Sequence, residues 1–125
     1  MAHEPKGTVL VVEDDPSLLR ALRRLLQAVD LDVLVFDSAE SFIAAEIPGE
    51  KVCLLLDIYL PGMSGTELCK TMAAAGRSVP TILMSARDDE FTQRNAREAG
   101  ALDTLYKPFD EDVLLDAVAR ALAAQ

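Results

Sequence analysis

Val52-Cys53-Leu54-Leu55-Leu56-Asp57-Ile58-Tyr59-Leu60 runs directly into Pro61-Gly62-Met63-Ser64-Gly65. An unbroken apolar run bounded by turn residues fits a strand buried on both faces, as in a parallel sheet. Asp57 interrupts that run, and a carboxylate is costly to bury without a compensating cation or donor. Pro61, Gly62 and Gly65 end the strand, so Asp57 is expected at its C-terminal rim, opening onto a loop. Ligands of open α/β sheets bind at that rim. Taken alone, the stretch equally allows Asp57 to be a loop residue or a helix cap.

The rest of the chain alternates around this strand. Residues 8–13 read as a buried strand. Asp15 caps the helix that follows, 16–28, with Pro16 in its first turn and Leu18, Leu19, Leu22, Leu25 and Leu26 at helical spacing. Residues 31–36 form a second strand. Ser38 caps a short helix over about 39–45, which Pro48 and Gly49 end. Ser64 and Glu67 make a capping-box pattern for a helix to about Ala75, and Gly76 fits its C-terminal cap. Residues 80–85 are a fourth strand, 88–99 a polar, weakly amphipathic helix closed by Gly100, and 102–106 a fifth strand. Lys107-Pro108-Phe109 is a turn, and a last helix runs from Asp110 to about Ala123. Five βα units imply an α/β domain with a doubly wound parallel sheet, right-handed crossovers and helices on both faces. With no repeat, linker or low-complexity segment, residues 1–125 read as a single domain.

Composition narrows the function. The chain has 125 residues, half of them hydrophobic, and a formal net charge of −9. That is enough chain for a real core. The negative balance argues against gripping nucleic acid or an anionic membrane, and favours a divalent cation or a basic partner. No apolar run approaches the ~20 residues needed to span a bilayer. Residues 1–7 lack the apolar core of a signal peptide, so a cytoplasmic location is expected. His3 reads as a disordered tail residue without a role. Cys53 and Cys69 fall within apolar or helical patterns and read as free buried thiols.

The polar residues that resist a core reading gather at one edge. Glu13, Asp14 and Asp15 follow the first strand, Asp57 ends the third, Ser85 the fourth and Lys107 the fifth. Each has an ordinary alternative: an acidic capping turn, a helix cap, a surface lysine before a proline. In a parallel sheet, however, those strand ends share one rim. Carboxylates crowded there repel, and one holds a proton unless a cation intervenes. A small hard cation with oxygen ligands resolves this, and Mg²⁺ suits best, with Mn²⁺ the near alternative. A carboxylate beside such a cation can act as a nucleophile towards a phosphoryl group. A lysine and a hydroxyl at the same rim can take up the remaining phosphoryl oxygens.

The sequence resembles the receiver domain of bacterial two-component response regulators. The resemblance is carried by Val11-Val12-Glu13-Asp14-Asp15-Pro16, by Leu56-Asp57-Ile58-Tyr59-Leu60-Pro61-Gly62-Met63-Ser64-Gly65, by Met84-Ser85-Ala86 and by Lys107-Pro108-Phe109, and it spans about residues 8–122. It implies a flavodoxin-like fold with strand order 2-1-3-4-5. It implies Asp57 as phosphoacceptor, with Mg²⁺ (or Mn²⁺) held by Asp14, Asp57 and the backbone carbonyl of Tyr59, and by Glu13 through water. It implies Ser85 and Lys107 as the phosphoryl-binding hydroxyl and ammonium, with a cis bond between Lys107 and Pro108. It also implies a sensor histidine kinase or a histidine phosphotransfer protein as donor. The domain then signals rather than turns over substrate, catalysing its own phosphorylation and dephosphorylation. Its fourth helix, fifth strand and fifth helix would present the output face, to a partner or to a second copy of the chain in a phosphorylation-dependent homodimer. The Phe36-Asp37-Ser38-Ala39 and Pro61-Gly62-Met63-Ser64-Gly65 patterns resemble regulators of the nitrogen-fixation type with a helix-turn-helix output. Control of transcription would then be the output, and DNA contact would belong to another domain. Both a stand-alone receiver and a piece of a longer regulator fit the chain.

One position departs from the family. An aromatic residue usually stands three before the lysine, and here it is Thr104. Tyr106, two residues on, shares that side of the strand and is expected to offer its ring to the output face, or else to be exposed filler. Tyr59 and Arg87, two positions after Asp57 and Ser85, flank the phosphoryl group in the family. Both are large here, so they are expected to slow hydrolysis by excluding water, unless both point to solvent. Competing classes fit less well. A haloacid-dehalogenase-like phosphatase needs an Asp where Tyr59 stands. A flavin or nucleotide site needs a glycine-rich first turn, where Glu13-Asp14-Asp15 stands instead. A degenerate receiver acting as a constitutive module sits poorly with the full set of Glu13, Asp14, Asp57, Ser85 and Lys107.

Overall fold

A computed structural model of the chain describes residues 6–47 and 49–124. The element order is β1 (Thr8–Val12), α1 (Pro16–Ala28), β2 (Asp32–Phe36), α2 (Ala39–Ile43), β3 (Val52–Asp57), α3 (Gly65–Ala74), β4 (Thr81–Ser85), α4 (Glu90–Glu98), β5 (Asp103–Tyr106) and α5 (Glu111–Ala123). All four strand pairings are parallel, and the sheet order is β2-β1-β3-β4-β5. This is the expected doubly wound, flavodoxin-like arrangement. His3 and Pro48 lie outside the described residues.

Alternation along the strands builds two cores. Val9 and Val11 of β1, Cys53 and Leu55 of β3, Ile82 and Met84 of β4 and Leu105 of β5 pack against α1 and α5, through Leu22, Leu26, Leu114, Ala117, Val118 and Ala121. Leu10, Val12, Leu54, Leu56 and Leu83 face the other way, onto Ala39 and Phe42 of α2, Leu68, Cys69 and Met72 of α3 and Ala96 of α4. Every residue of β3 is buried, because its apolar run has a helix layer on each side. Cys53 and Cys69 are free and buried, and burial pushes their thiols up to about 12 and about 11. They are packing residues at neutral pH.

The helix ends follow local chemistry. The Asp15 carboxylate accepts from the backbone N–H groups of Ser17 and Leu18, and Ser38 Oγ accepts from Ser41. Helix α3 closes with paired bonds from Gly76 N–H to the Ala73 carbonyl and from Arg77 N–H to the Met72 carbonyl, with Gly76 at φ +71°. That is the left-handed glycine stop. The capping box is half realised: Ser64 Oγ accepts from Glu67 N–H, while the Glu67 carboxylate bonds the Ser64 hydroxyl rather than its amide. Two helices are shorter than the sequence suggests. Helix α2 stops at Ile43, and α4 begins at Glu90 rather than Asp88, because Asp89 takes the cap position and accepts from Thr92 N–H.

Candidate functional site

Strand parity carries the site. Glu13 follows β1, Asp57 ends β3 and Lys107 follows β5, each in phase with the residues that face α1 and α5. Ser85 ends β4 in phase with Leu83, which faces α3 and α4. The structure accordingly draws Glu13, Asp14, Asp57 and Lys107 together, while the Ser85 hydroxyl is bonded to Arg87. Single carboxylate oxygens of Glu13, Asp14 and Asp57 lie within 4.8 Å of one another. Glu13 is 1% and Asp57 5% exposed, while Asp14 is open to solvent.

Lys107 holds the two buried acids together. Its Nζ lies 2.6 Å from Glu13 Oε1 and 3.3 Å from Asp57 Oδ2. Burial pulls the Lys107 ammonium down, but the Glu13 hydrogen bond and the charges of Asp57 and Glu13 outweigh it, and its pKa is raised. The peptide bond between Lys107 and Pro108 is cis. Backbone donors take further lone pairs: Asp15 N–H donates to Glu13 Oε2, and Tyr59 N–H to Asp57 Oδ1. Asp14 is left facing its neighbours. Partial desolvation, a hydrogen bond with Glu13 and the Glu13 charge raise its pKa, against its own backbone amide and Lys107, which lower it.

Three carboxylates beside one ammonium leave two negative charges unbalanced, and all the donors are hard oxygens. That set fits a divalent Mg²⁺ or Mn²⁺ and suits soft metals poorly. Glu13 already spends one oxygen on Lys107 and the other on Asp15 N–H. Asp57 is engaged in the same way, by Lys107 and by Tyr59 N–H, so Asp14, the exposed member, is the most accessible carboxylate of the three.

Ser85 is fully buried, and its hydroxyl is engaged by its own loop. Oγ donates to the Arg87 carbonyl at 2.7 Å and accepts from Arg87 N–H at 2.9 Å. The side chain of Arg87 lies 5.2 Å from the centroid of the Tyr59 ring and pairs with Asp89 at 2.8 Å. Tyr59 Oη is hydrogen-bonded to Thr92 Oγ1. Thr92 was not singled out from sequence. The only signal was its spacing four residues before Ala96, the other buried position of α4. Thr104 and Tyr106 are half-buried and line one groove of about 300 Å³ with Gln93, Ala96 and Arg97 of α4. They share a side of β5, as alternation requires. Among the described residues, no helix is long and apolar enough to cross a membrane.

Comparison with known proteins agrees with this geometry. The chain is 39% identical over 116 residues to nodulation protein W of Bradyrhizobium diazoefficiens, an alignment covering 93% of this chain and 51% of that protein. It is 35% identical over 114 residues to the transcriptional regulatory protein FixJ of Azorhizobium caulinodans, covering 91% and 54%. Among solved structures, response regulator StyR superposes with a TM-score of 0.87 at 39% identity, covering 94% of this chain and 60% of that one. Full-length FixJ from B. japonicum superposes with a TM-score of 0.84 at 30% identity, covering 96% and 59%. The chain thus spans about half the length of the curated relatives it matches. The family described as the response regulator receiver domain matches residues 9–119, which include every residue of the rim cluster, and the chain belongs to that family.

Proposed function

We propose that residues 1–125 act as one phosphorylation-dependent switch, with Asp57 as the phosphoacceptor. The observation that carries this is the Lys107 ammonium held between the buried carboxylates of Glu13 and Asp57, beside Asp14. A sensor histidine kinase or a phosphotransfer protein presents a phosphohistidine. An Asp57 carboxylate oxygen attacks phosphorus, the P–N bond breaks, and the imidazole leaves with its electron pair, giving an acyl phosphate. Asp14, Asp57, the Tyr59 carbonyl and, through water, Glu13 would hold Mg²⁺ or Mn²⁺, which would supply neutralisation of the phosphoryl oxygens. Lys107 is already at Asp57 and meets one phosphoryl oxygen. Ser85 meets another once its hydroxyl leaves the Arg87 carbonyl. Water attack on phosphorus breaks the P–O bond to Asp57, releases inorganic phosphate and the free carboxylate, and resets the domain, so the chain catalyses its own phosphorylation and dephosphorylation without being a turnover enzyme.

The acyl phosphate carries roughly −1.5 to −2 charge where the carboxylate carried one, at a rim shared by four strands. The output we propose is a population shift of the face formed by α4, β5 and α5, read by a partner or by a second copy of the chain. Relatives named transcriptional regulators support a transcriptional output in a cytoplasmic setting. The net charge of −9 supports leaving nucleic acid contact to other regions. The test is intact mass after incubation with acetyl phosphate, with and without Mg²⁺. One phosphoryl group is expected on the parent with Mg²⁺ and none on Asp57→Asn. Equal gain on both proteins would remove Asp57 as the acceptor.

Two smaller effects follow from residues around the site. Arg87 lies over the Tyr59 ring, two residues along from Asp57, and we propose that the pair slows the hydrolytic water. The double change Tyr59→Ala with Arg87→Ala is expected to raise the dephosphorylation rate about 10-fold, in line with losing partial water exclusion. An unaltered decay of radiolabelled phosphoprotein would rule this out. Tyr106, in the groove with Thr104, is proposed as the aromatic of the output face. Tyr106→Ala should then weaken phosphorylation-dependent self-association in sedimentation experiments while leaving phosphorylation kinetics unchanged. Parent-like association would reduce Tyr106 to surface filler.

A further inference from the structure

Around the mouth of the site, a closed circuit of contacts links the β3 rim to the first turn of α4. Thr92 is only 1% exposed, although it sits on the most polar helix of the protein. Its hydroxyl reaches Tyr59 Oη, and its N–H donates to Asp89 Oδ1 at 2.8 Å. Asp89 in turn holds the Arg87 guanidinium, at 2.9 Å through Nε and 2.8 Å through Nη2. Arg87 lies over the Tyr59 ring. The backbone N–H and the hydroxyl of Thr92 hold the Asp89 carboxyl below the ordinary range, with Arg87 adding to this.

The circuit touches the chemistry through one hydroxyl proton. A serine hydroxyl has a single O–H to donate, and Ser85 donates it to the Arg87 carbonyl. If Ser85 is to donate to a phosphoryl oxygen on Asp57, that bond has to break. The residue released is Arg87, whose side chain is fastened both to Tyr59 and to the cap of α4.

We propose that the Tyr59–Thr92 hydroxyl bridge is a latch that holds the first turn of α4 against the β3 rim while Ser85 clasps the Arg87 peptide, with Thr92 as its positioning residue. The inference rests on the reading of Asp57 as phosphoacceptor for its trigger, but the latch itself is present without phosphate. The bridge joins residues 33 positions apart, from the loop after β3 to α4, and so ties two parts of the fold rather than stabilising either alone. Opening it frees the α4 turn to follow Arg87. The groove that holds Thr104 and Tyr106 is walled by the same helix, which gives the latch a path to the output face.

Amide hydrogen exchange across α4 tests this, on the full chain with and without acetyl phosphate and Mg²⁺, with intact mass recorded on each sample. Tyr59→Phe keeps the ring and loses the hydroxyl, Thr92→Val keeps the volume, and Thr92→Ser keeps the hydroxyl. Without phosphate, Tyr59→Phe and Thr92→Val should each speed α4 exchange about 2- to 10-fold, the scale of one hydrogen bond. The double variant should be no faster than the faster single, since both remove the same bond. Thr92→Ser should stay close to the parent, which distinguishes a hydroxyl contact from simple packing. Phosphorylation of the parent should speed α4 exchange, and the two latch variants should show a smaller further rise. Unchanged exchange in both singles, additive effects, Thr92→Ser behaving like Thr92→Val, or a phosphorylated parent with unaltered α4 would each overturn the latch. Absence of the mass gain in the parent would overturn the phosphoacceptor reading instead, and the phosphate-free samples would still decide the latch.

Discussion

Lys107→Met is expected to lower stability at pH 7 by about 3 kcal/mol, the low end of the cost of stripping one partner from a buried ion pair. The size follows from what is left behind. Glu13 keeps one backbone donor, Asp15 N–H, and Asp57 keeps Tyr59 N–H, but among the described residues neither retains an ion-pair partner. An exposed pair would contribute less than about 1 kcal/mol. Here both acid side chains are under a tenth exposed, and Lys107 itself is 22% exposed, so solvent screens the loss only in part. The sign with pH follows from the raised Lys107 pKa. Its stabilisation is fully present below the ordinary 10.5 and is lost as pH rises through the raised value. Parent and variant should therefore differ most from neutral pH up to about 10 and converge only in strong alkali. Urea midpoints at pH 7 and at pH 9 check this. Mg²⁺ should raise the midpoint of the variant more than that of the parent, because the cation then supplies charge the lysine no longer does. Identical midpoints for the two proteins at pH 7 would show that the ammonium balances nothing.

The features legible in sequence are those with a period or a charge. Alternation of strands and helices announced the sheet, and the apolar run from Val52 to Leu56 announced its central strand. Glu13, Asp14, Asp57 and Lys107 could be placed together because strand ends in a parallel sheet share one rim, and the structure brings those four into contact. Ser85 was placed at the same rim correctly, but its hydroxyl bonds Arg87. A serine two residues before a main-chain partner carries no pattern that separates this turn from a free hydroxyl. Thr92 was missed for a related reason. Its hydroxyl meets the Tyr59 side chain from another part of the fold, and the helix reads only as polar and weakly amphipathic. The start of α4 at Glu90 rather than Asp88 turns on Asp89 taking the cap, which composition does not signal among adjacent acids. Tertiary contacts between polar side chains are specific in geometry and nearly silent in composition.

Gly65→Ala is expected to cost about 3 kcal/mol, the upper range for overpacking a well-filled site, and to slow phosphorylation of Asp57 with it. A Cβ at Gly65 would stand 2.3 Å from the Asp57 carbonyl oxygen and 3.0 Å from Asp57 C and from Ile58 Cα. The obstacle is backbone, so no rotamer relieves it. Nor can that backbone move easily, because Ile58 N–H is bonded to the Met84 carbonyl at 2.9 Å and Asp57 pairs with Met84 in the sheet. Either α3 withdraws and loses the bond from Gly65 N–H to the Ile58 carbonyl, now 2.9 Å, or the Asp57 peptide turns and takes the acceptor carboxylate with it. Gly76→Ala separates this from the general cost of losing a glycine. Gly76 has no atom within 4 Å of its added Cβ and is constrained only by φ +71°, so that variant should lose about 1 kcal/mol and phosphorylate like the parent. Urea midpoints and the rate of phosphoryl uptake from acetyl phosphate are measured on both. If Gly65→Ala matches Gly76→Ala in stability and the parent in rate, the approach of α3 to the Asp57 carbonyl does not constrain the site. If it falls below both, the glycine that opens α3 is what lets a helix close over the rim while the phosphoacceptor keeps its place beside Lys107.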